Sequence, residues 1–420
     1  MRQRPKRNRR TALSCALVLA PLAAGLTACS DDGNPLAAEP YDASEQISVS
    51  VAEGSDDADY DKPLKITAED VGGRITDVVA VDGAGRYLRG RLAPDGSSWR
   101  STAPLHAGVR YTVRISTEDD SGKPGRRTLR FATRPADGRK LKVTFGPEKG
   151  TYGVGQPVVA ELSHKLKSRK EKAVVERALE VESSPLVRGG WHWVDDRTLH
   201  YRPREYWPEN ADISVRSTLE GVRIRDGLRG GASKPLRIRT DDRVEALVDI
   251  AAHTMTVSKS GEKLKTIPVT TGKAGFRTRS GIKVILAKQQ FVRMTSGSIG
   301  IPAGSAESYD LPVYWNARLT QSGEFVHAAP WSTGSQGAAN VSHGCTGMST
   351  ADAKWFYHLV QPGDIVRYVN GQGEDMPVFG NGYGDWNLSW EKWRRGSATH
   401  RAAGGSGDET HATGRLRFDT

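Results

Sequence analysis

The sequence predicts a mainly β protein: successive β-sandwich units, one main helix, and a short tryptophan-rich helical segment near the C-terminus. Three observations carry this. Apolar or alternating runs of three to seven residues recur along most of the chain, punctuated by pairs such as Asp82-Gly83, Asp95-Gly96 and Ser121-Gly122. Helical patterning is confined to a few short stretches. The chain has 420 residues, 37% hydrophobic and 26% charged, which is enough for several separate cores. That composition excludes wholesale disorder, collagen and a multi-pass membrane protein.

The net charge of +11 invites a nucleic-acid reading, but the charge is laid out in blocks. Six cations and no acid lie in residues 1–28, and residues 30–61 hold ten acids and no Lys or Arg. Residues 1–10 are a basic n-region and Thr11 to Leu26 an apolar run too short to span a bilayer comfortably, so 1–28 read as a secretory signal. It ends in Leu26-Thr27-Ala28-Cys29, similar to the lipobox of bacterial lipoproteins, so Cys29 is the expected lipidation site. Arg9-Arg10 offers a twin-arginine export route as the alternative to the general one. Residues 29–47 then read as the lipidated Cys and an acidic, flexible tether.

From 48 to 138 the strands Ile47–Val51, Leu64–Ile66, Ile75–Val81, Tyr111–Ile115 and Thr128–Phe131 predict an immunoglobulin-like sandwich. Arg134-Pro135 breaks the chain. A second immunoglobulin-like unit spans 139–241, with strands at Leu141–Phe145, Val158–Leu162, Leu179–Val181, Trp191–Trp193 and Leu236–Ile238. Glu171 to Ala178 is a short helical insert, and the Pro-broken Tyr201–Pro208 is placed in a connection. His192 and His200 flank strands and read as surface or interface residues.

Residues 242–370 form the third unit. Val244–Ile250 with Thr254–Val257 predicts a hairpin, and so does Lys263–Val269 with the strand after Gly281. Ser349 and Thr350 cap a helix over Ala351–Val360, Asp352 complements its dipole, Pro362-Gly363 stops it, and Asp364–Val369 closes the sheet. Residues 371–397 carry Trp386, Trp390 and Trp393, a spacing that puts three indoles on one helical face to dock on a neighbouring domain. Residues 398–420 read as a disordered tail.

The leader accounts for Cys15 and the lipobox for Cys29, which leaves Cys345 as the single thiol of the mature chain. A lone thiol in an oxidising compartment has no internal disulfide partner and is a candidate nucleophile. It lies in Ser342-His343-Gly344-Cys345, and fourteen residues separate His327 from Ser342. A thiol needs a base to become a thiolate, and a preceding Gly lets the backbone turn sharply and aim amides at an oxyanion. The residues leave open whether His327 or His343 is that base. Zinc is disfavoured because one Cys with scattered His residues lacks paired ligand spacing.

His327, a fourteen-residue gap and Ser-His-Gly-Cys together resemble the signature of the L,D-transpeptidase catalytic domain, found in cysteine enzymes that cross-link peptidoglycan. Two immunoglobulin-like units before it and a tryptophan segment after it resemble the anchored, multi-domain members of that family. The resemblance implies an L,D-transpeptidase-type β-sandwich, with Cys345 as nucleophile, His327 as base and the Ala328 carbonyl orienting the imidazole. It implies an oxyanion hole from the Gly344 and Cys345 amides, with Ser342 and His343 in the motif. It places Met294 and Tyr309 on a lid, and Trp331 and Asn340 near the substrate. Similar enzymes often carry Asn two residues after the Cys; here that residue is Gly347.

The implied reaction is acyl transfer on tetrapeptide stems, releasing D-Ala and forming 3→3 cross-links, with no cofactor and no metal. The implied partners are peptidoglycan stem peptides, the membrane through a lipid anchor, and carbapenem β-lactams as covalent inhibitors; nucleic acid is not among them. The implied location is the outer face of the cell membrane and the wall. The alternative is an inactive peptidoglycan-binding or wall-anchoring lipoprotein on the same scaffold.

Overall fold

The computed structural model describes residues 39–69, 73–302 and 304–400. The leader, Cys29 and the tail beyond His400 lie outside the described residues. Three apolar cores follow one another along the chain.

The first core lies between two four-stranded sheets. One is ordered Tyr41–Asp42, Pro124–Ala132, Arg110–Glu118, Arg74–Asp82, and the other Ile47–Val49, Lys65–Ala68, Ser98–Ser101, Gly90–Leu92. Period-two alternation explains the burial: Tyr111, Val113 and Ile115 face inward from one strand, Leu129 and Phe131 from its neighbour. The fold begins inside the stretch expected to be tether. Tyr41–Asp42 pairs in parallel with Gly125–Arg126, and Ala43 is fully buried. An apolar ring and a small residue are enough to recruit this segment despite its acidic surroundings.

The second core repeats the sandwich plan. Val143–Gly146, Val158–Leu162, Thr198–Pro203 and Gly189–Trp193 face Thr151–Tyr152, Leu236–Thr240, Asp212–Ser217 and Leu179–Ser184. The expected insert is a helix over Arg169–Arg177, whose N-cap Ser168 accepts from the Glu171 amide at 3.1 Å. The placement of Tyr201–Pro208 is corrected in part. Tyr201 to Pro203 close a strand, because Pro203 ends it and costs no ladder bond there.

In the third unit a five-stranded sheet runs Glu262–Pro268, Thr254–Lys259, Val244–Asp249, Ile365–Val369, Gly281–Val284. The second expected hairpin is therefore corrected: Glu262–Pro268 and Gly281–Val284 lie at opposite edges. The closing strand Ile365–Val369 takes the central place between them, pairing in parallel with Val244–Asp249 and antiparallel with Gly281–Val284. Local sequence cannot reveal a partner that arrives eighty residues later.

The opposing sheet is Ala287–Thr295, Asp310–Arg318, Phe325–Ala328, Thr346–Met348. Helix Thr350–Leu359 packs on this second sheet, burying Ala353 and Phe356. Ser349 caps it, accepting from the Asp352 amide at 3.1 Å.

The C-terminal segment straps the third unit to the second. The tryptophans are not one helical stripe: Trp386 sits in a 3-10 turn, Asp385–Asn387, and Trp390 and Trp393 in helix Trp390–Arg395. All three rings nevertheless converge on the buried Arg202 guanidinium, at 4.8, 5.7 and 4.5 Å. The indoles of Trp386 and Trp393 donate to the Gly155 and Gly190 carbonyls, both at 2.8 Å. His192 and His200 belong to this joint, paired with the Trp393 carbonyl at 2.8 Å and Asp385 at 2.7 Å.

Candidate active site

Strand pairing brings the motif together. Phe325–Ala328 and Thr346–Met348 run parallel, with His327 opposite Gly347 and Ala328 opposite Met348. Laterally paired residues share a face, as do residues two apart, so Cys345 enters the strand on the face that carries His327. Val326, Ala328 and Met348 go into the core on the other side. The alternation of this short buried strand is what turns His327 toward the thiol.

Both residues line a cavity of about 240 Å³, together with Met294, Tyr309, Trp331, Ser342 and His343. Met294 lies near the end of the first strand of a long hairpin, Ala287–Thr295 with Asp310–Arg318, and Tyr309 immediately before the second, so both reach the cavity from this hairpin. Leu311 and Val313 of the same hairpin add apolar wall. Trp331 stacks on His327 with ring centroids 6.0 Å apart and is 51% exposed, so it forms part of the rim.

His327 is buried, and its Nδ1 lies 2.8 Å from the Ala328 carbonyl. A carbonyl only accepts, so Nδ1 carries the proton and Nε2 keeps its lone pair. Burial pushes the His327 pKa below its usual value. Burial also pushes the Cys345 thiol up to about 12, and its Sγ–H rests on the Gly323 carbonyl at 3.5 Å. Burial thus opposes charge on both groups and favours a neutral thiol and a neutral imidazole over a preformed ion pair.

The loop before Cys345 is held by its own side chains. Gly344 has a φ of +119°, which an L residue rarely adopts. The Ser342 hydroxyl donates to the Cys345 carbonyl at 2.6 Å and accepts from the Gly344 amide at 3.1 Å. Thr278 donates to the Gly344 carbonyl at 2.9 Å. His343 turns away from the sulfur: its Nε2–H donates to Glu307 at 2.7 Å, and its ring packs on Phe276 and Tyr309. Lys273 also holds Glu307, at 2.5 Å, so a carboxylate two residues before Tyr309 clasps the motif loop.

Asn340 is not brought to the cavity wall. Its Oδ1 accepts from the Thr271 amide and hydroxyl at 2.9 and 2.8 Å, and its Nδ2 donates to the Ile250 carbonyl at 3.1 Å. It ties together the loops beneath Ser342. Sequence reasoning did not find Thr270, Ala329, Ser332 and Val341 in the lining, nor Lys273 and Glu307 in the clasp. Nothing in their local pattern marks them, since only the folded loops bring them together. Gly347 was visible as a departure. A Cβ there would lie 2.8 Å from the Ala329 Cβ and 3.2 Å from the Thr270 methyl, so this backbone closely approaches its neighbours.

Cys345 is the one free thiol among the described residues, and these contain no group of three His, Cys, Asp or Glu placed to hold a metal.

Comparison with known proteins agrees with this architecture. A family model described as the L,D-transpeptidase catalytic domain matches residues 243–367, and one described as a bacterial Ig domain matches residues 55–223. The chain is 33% identical to L,D-transpeptidase 2 of Mycobacterium tuberculosis over 353 residues, 84% of this chain and 85% of that protein. It is 29% identical to L,D-transpeptidase 5 of the same organism over 384 residues, 90% of this chain and 82% of that protein. Among solved structures, an L,D-transpeptidase from Mycobacterium smegmatis is 34% identical, covering 55% of this chain and 100% of that one with a TM-score of 0.45. An L,D-transpeptidase in complex with imipenem is 34% identical, covering 56% and 100% with a TM-score of 0.47. On the similarity that runs through the immunoglobulin-like units and the cysteine domain alike, the chain belongs to the L,D-transpeptidases, the enzymes that cross-link peptidoglycan.

Proposed function

We propose that Cys345 is the acyl-accepting nucleophile and His327 its general base, acting on tetrapeptide stems to form 3→3 cross-links. The observation that carries this is the parallel register that sets both residues on one face and in one cavity, with the His327 lone pair freed by the Ala328 carbonyl. Cys345 Sγ attacks the carbonyl that joins the third residue of the stem to the terminal D-Ala, passing its proton to His327 Nε2. The tetrahedral intermediate collapses, the C–N bond breaks, and D-Ala leaves with that proton. The side-chain amine of a second stem then attacks the thioester, and the thiol is regenerated. Water in place of the amine gives L,D-carboxypeptidase activity.

The Gly344 amide is engaged by Ser342, so the oxyanion falls first to the Cys345 amide, and Gly344 joins it where the Ser342 hydroxyl gives way. Met294 and Tyr309 supply the lid and Trp331 the rim. Acting on peptidoglycan places the enzyme outside the cytoplasm. We assign residues 1–28 to a cleaved leader and Cys29 to a lipid anchor on the sequence pattern alone, with residues 48–138 and 139–241 as spacers between membrane and catalytic domain.

Carbapenem acylation tests the site. The full chain incubated with a carbapenem and weighed intact should gain one equivalent of drug on wild type and none on Cys345→Ala. An equal adduct on both would remove Cys345 from its role. His327→Ala should acylate at least a hundredfold more slowly, the scale of a lost general base.

A further inference from the structure

A second pair of ionisable groups lies beneath the nucleophile and takes no part in the chemistry above. Lys283, on the edge strand Gly281–Val284, is 0% exposed, and its ammonium sits 2.6 Å from Glu324 Oε2. Glu324 is itself only 6% exposed. Its other oxygen accepts from the Arg279 amide at 3.1 Å and the Arg279 guanidinium at 3.2 Å. The Lys283 ammonium also lies 3.9 Å above the Tyr368 ring. Taking two charges out of water costs several kcal/mol per ion, and their attraction offsets this only where the geometry is good. As structural filler such a pair has no advantage over two apolar side chains.

Its position is specific. Glu324 follows Gly323, whose carbonyl holds the Cys345 Sγ–H. On the other side, Tyr368 beneath Lys283 shares a 2.7 Å hydrogen bond with Thr346, the residue after Cys345. The pair thus touches residues that contact or adjoin Cys345 on both flanks. A buried carboxylate so close opposes the formation of a second anion on sulfur, and a buried ammonium favours it. The other titratable groups around Cys345 are His327, Tyr309, Tyr368 and His343, the last paired with Glu307; Arg279, with its side chain 30% exposed, faces Glu324.

We propose that Lys283 is a positioning residue for Cys345: its buried ammonium neutralises Glu324, so that the sulfur can become anionic beside a carboxylate. Lys283 acts through Glu324 and through the local field, without touching substrate. The inference rests on Cys345 being the nucleophile, but its test does not need turnover.

The test is the rate of Cys345 alkylation by iodoacetamide in the full chain between pH 8 and 10, with Cys345→Ala as the blank for the other two cysteines. That rate tracks the thiolate fraction. Lys283→Met, which leaves the carboxylate only its contacts to the partly exposed Arg279, should react about tenfold more slowly, equivalent to about one pH unit. Glu324→Gln should react faster by a similar factor, and Lys283→Met/Glu324→Gln should return toward wild type. A merely structural pair behaves differently, because loosening the site exposes the thiol and speeds both single variants. Shifts of the same sign in both, or no shift in either, would overturn the proposal. If Lys283→Met does not fold, Glu324→Gln decides together with amide exchange over residues 342–348: faster alkylation at unchanged exchange supports the role, while faster alkylation with faster exchange, or unchanged or slower alkylation, refutes it. Loss of carbapenem adduct selectivity for Cys345 would instead refute the nucleophile assignment, so the two failures are separable.

Discussion

At the scale of single residues, burial has opposite effects on Cys345 and His327, the proposed nucleophile and base. It raises the thiol pKa and lowers the imidazole pKa, so each resists the charge it must acquire. Transfer of the proton during attack avoids paying for an isolated buried ion pair beforehand. This has a definite pH consequence. In the proposed mechanism acylation needs neutral His327, so its rate should rise from acid pH along a limb centred below the usual histidine value, and then stay flat. No second rise is expected near pH 8 to 9, where an ordinary thiol ionises. The check is the second-order rate constant of carbapenem acylation from pH 4 to 10. A bell-shaped profile, falling as His327 loses its proton, would instead show a resting thiolate–imidazolium pair.

At the scale of elements, the pair of parallel strands sets the tolerance of the site. Similar enzymes often carry Asn where this chain has Gly347, yet here there is no room for one. The backbone at Gly347 lies against Ala329 and Thr270, and the Ala329 Cβ cannot rotate out of the way. Gly347→Asn should therefore cost about 1–3 kcal/mol through overpacking. It should also slow acylation, because the strand that moves carries Cys345 and pairs with His327. A lower thermal midpoint together with slower acylation checks this; a gain in rate at unchanged stability would show that the missing amide, not the space, matters. The tryptophan strap follows the same logic. Arg202 reaches the Leu388 carbonyl at 2.7 Å and the Pro203 and Arg204 carbonyls at 3.2 Å, beneath three indoles. Arg202→Ala leaves those carbonyls unpaired and a cavity between the rings, a cost of about 2–4 kcal/mol. The expected sign is proteolytic cleavage within residues 380–400 at temperatures where the rest of the chain is intact.

What the sequence made legible follows from range. Strands such as Val158–Leu162 and the capped helix after Ser349 are written in local alternation and capping, and both stand where expected. The His327 and Cys345 spacing was legible as a fixed motif. The place of Ile365–Val369 in the centre of a sheet, the pairing of Glu307 with His343 and the burial of Lys283 were not legible. Each joins residues between 36 and 120 positions apart, and a lysine in a strand looks the same whether it faces water or a carboxylate.

At the scale of the whole molecule, the two joints differ in kind. The first sandwich meets the second through polar contacts. Asp82 holds Arg86 at 2.6 Å, Arg86 reaches the Glu220 carbonyl at 2.7 Å, and Ala107 donates to Gly221 at 3.4 Å. The second sandwich meets the catalytic unit through shared apolar packing. Ile365 of the catalytic sheet belongs to the second core, Gly153 and Gly155 donate to the Pro362 and Gly363 carbonyls at 2.9 Å, and the tryptophan strap crosses over both. The second and third units therefore form one mechanical piece, and the first is attached to it by a joint that can be lost without opening a core. Deleting residues 39–135 should leave the thermal midpoint of the remainder within a few degrees of its full-length value. Carbapenem acylation should be unchanged, since neither Cys345 nor His327 contacts the deleted sandwich. If the first unit is a spacer that sets the height of the active site in the wall, the same deletion should reduce 3→3 cross-links in muropeptides from intact cells. Equal cross-linking with and without the first sandwich would show that reach is not its role, and slower acylation in solution would show that it supports the catalytic unit directly.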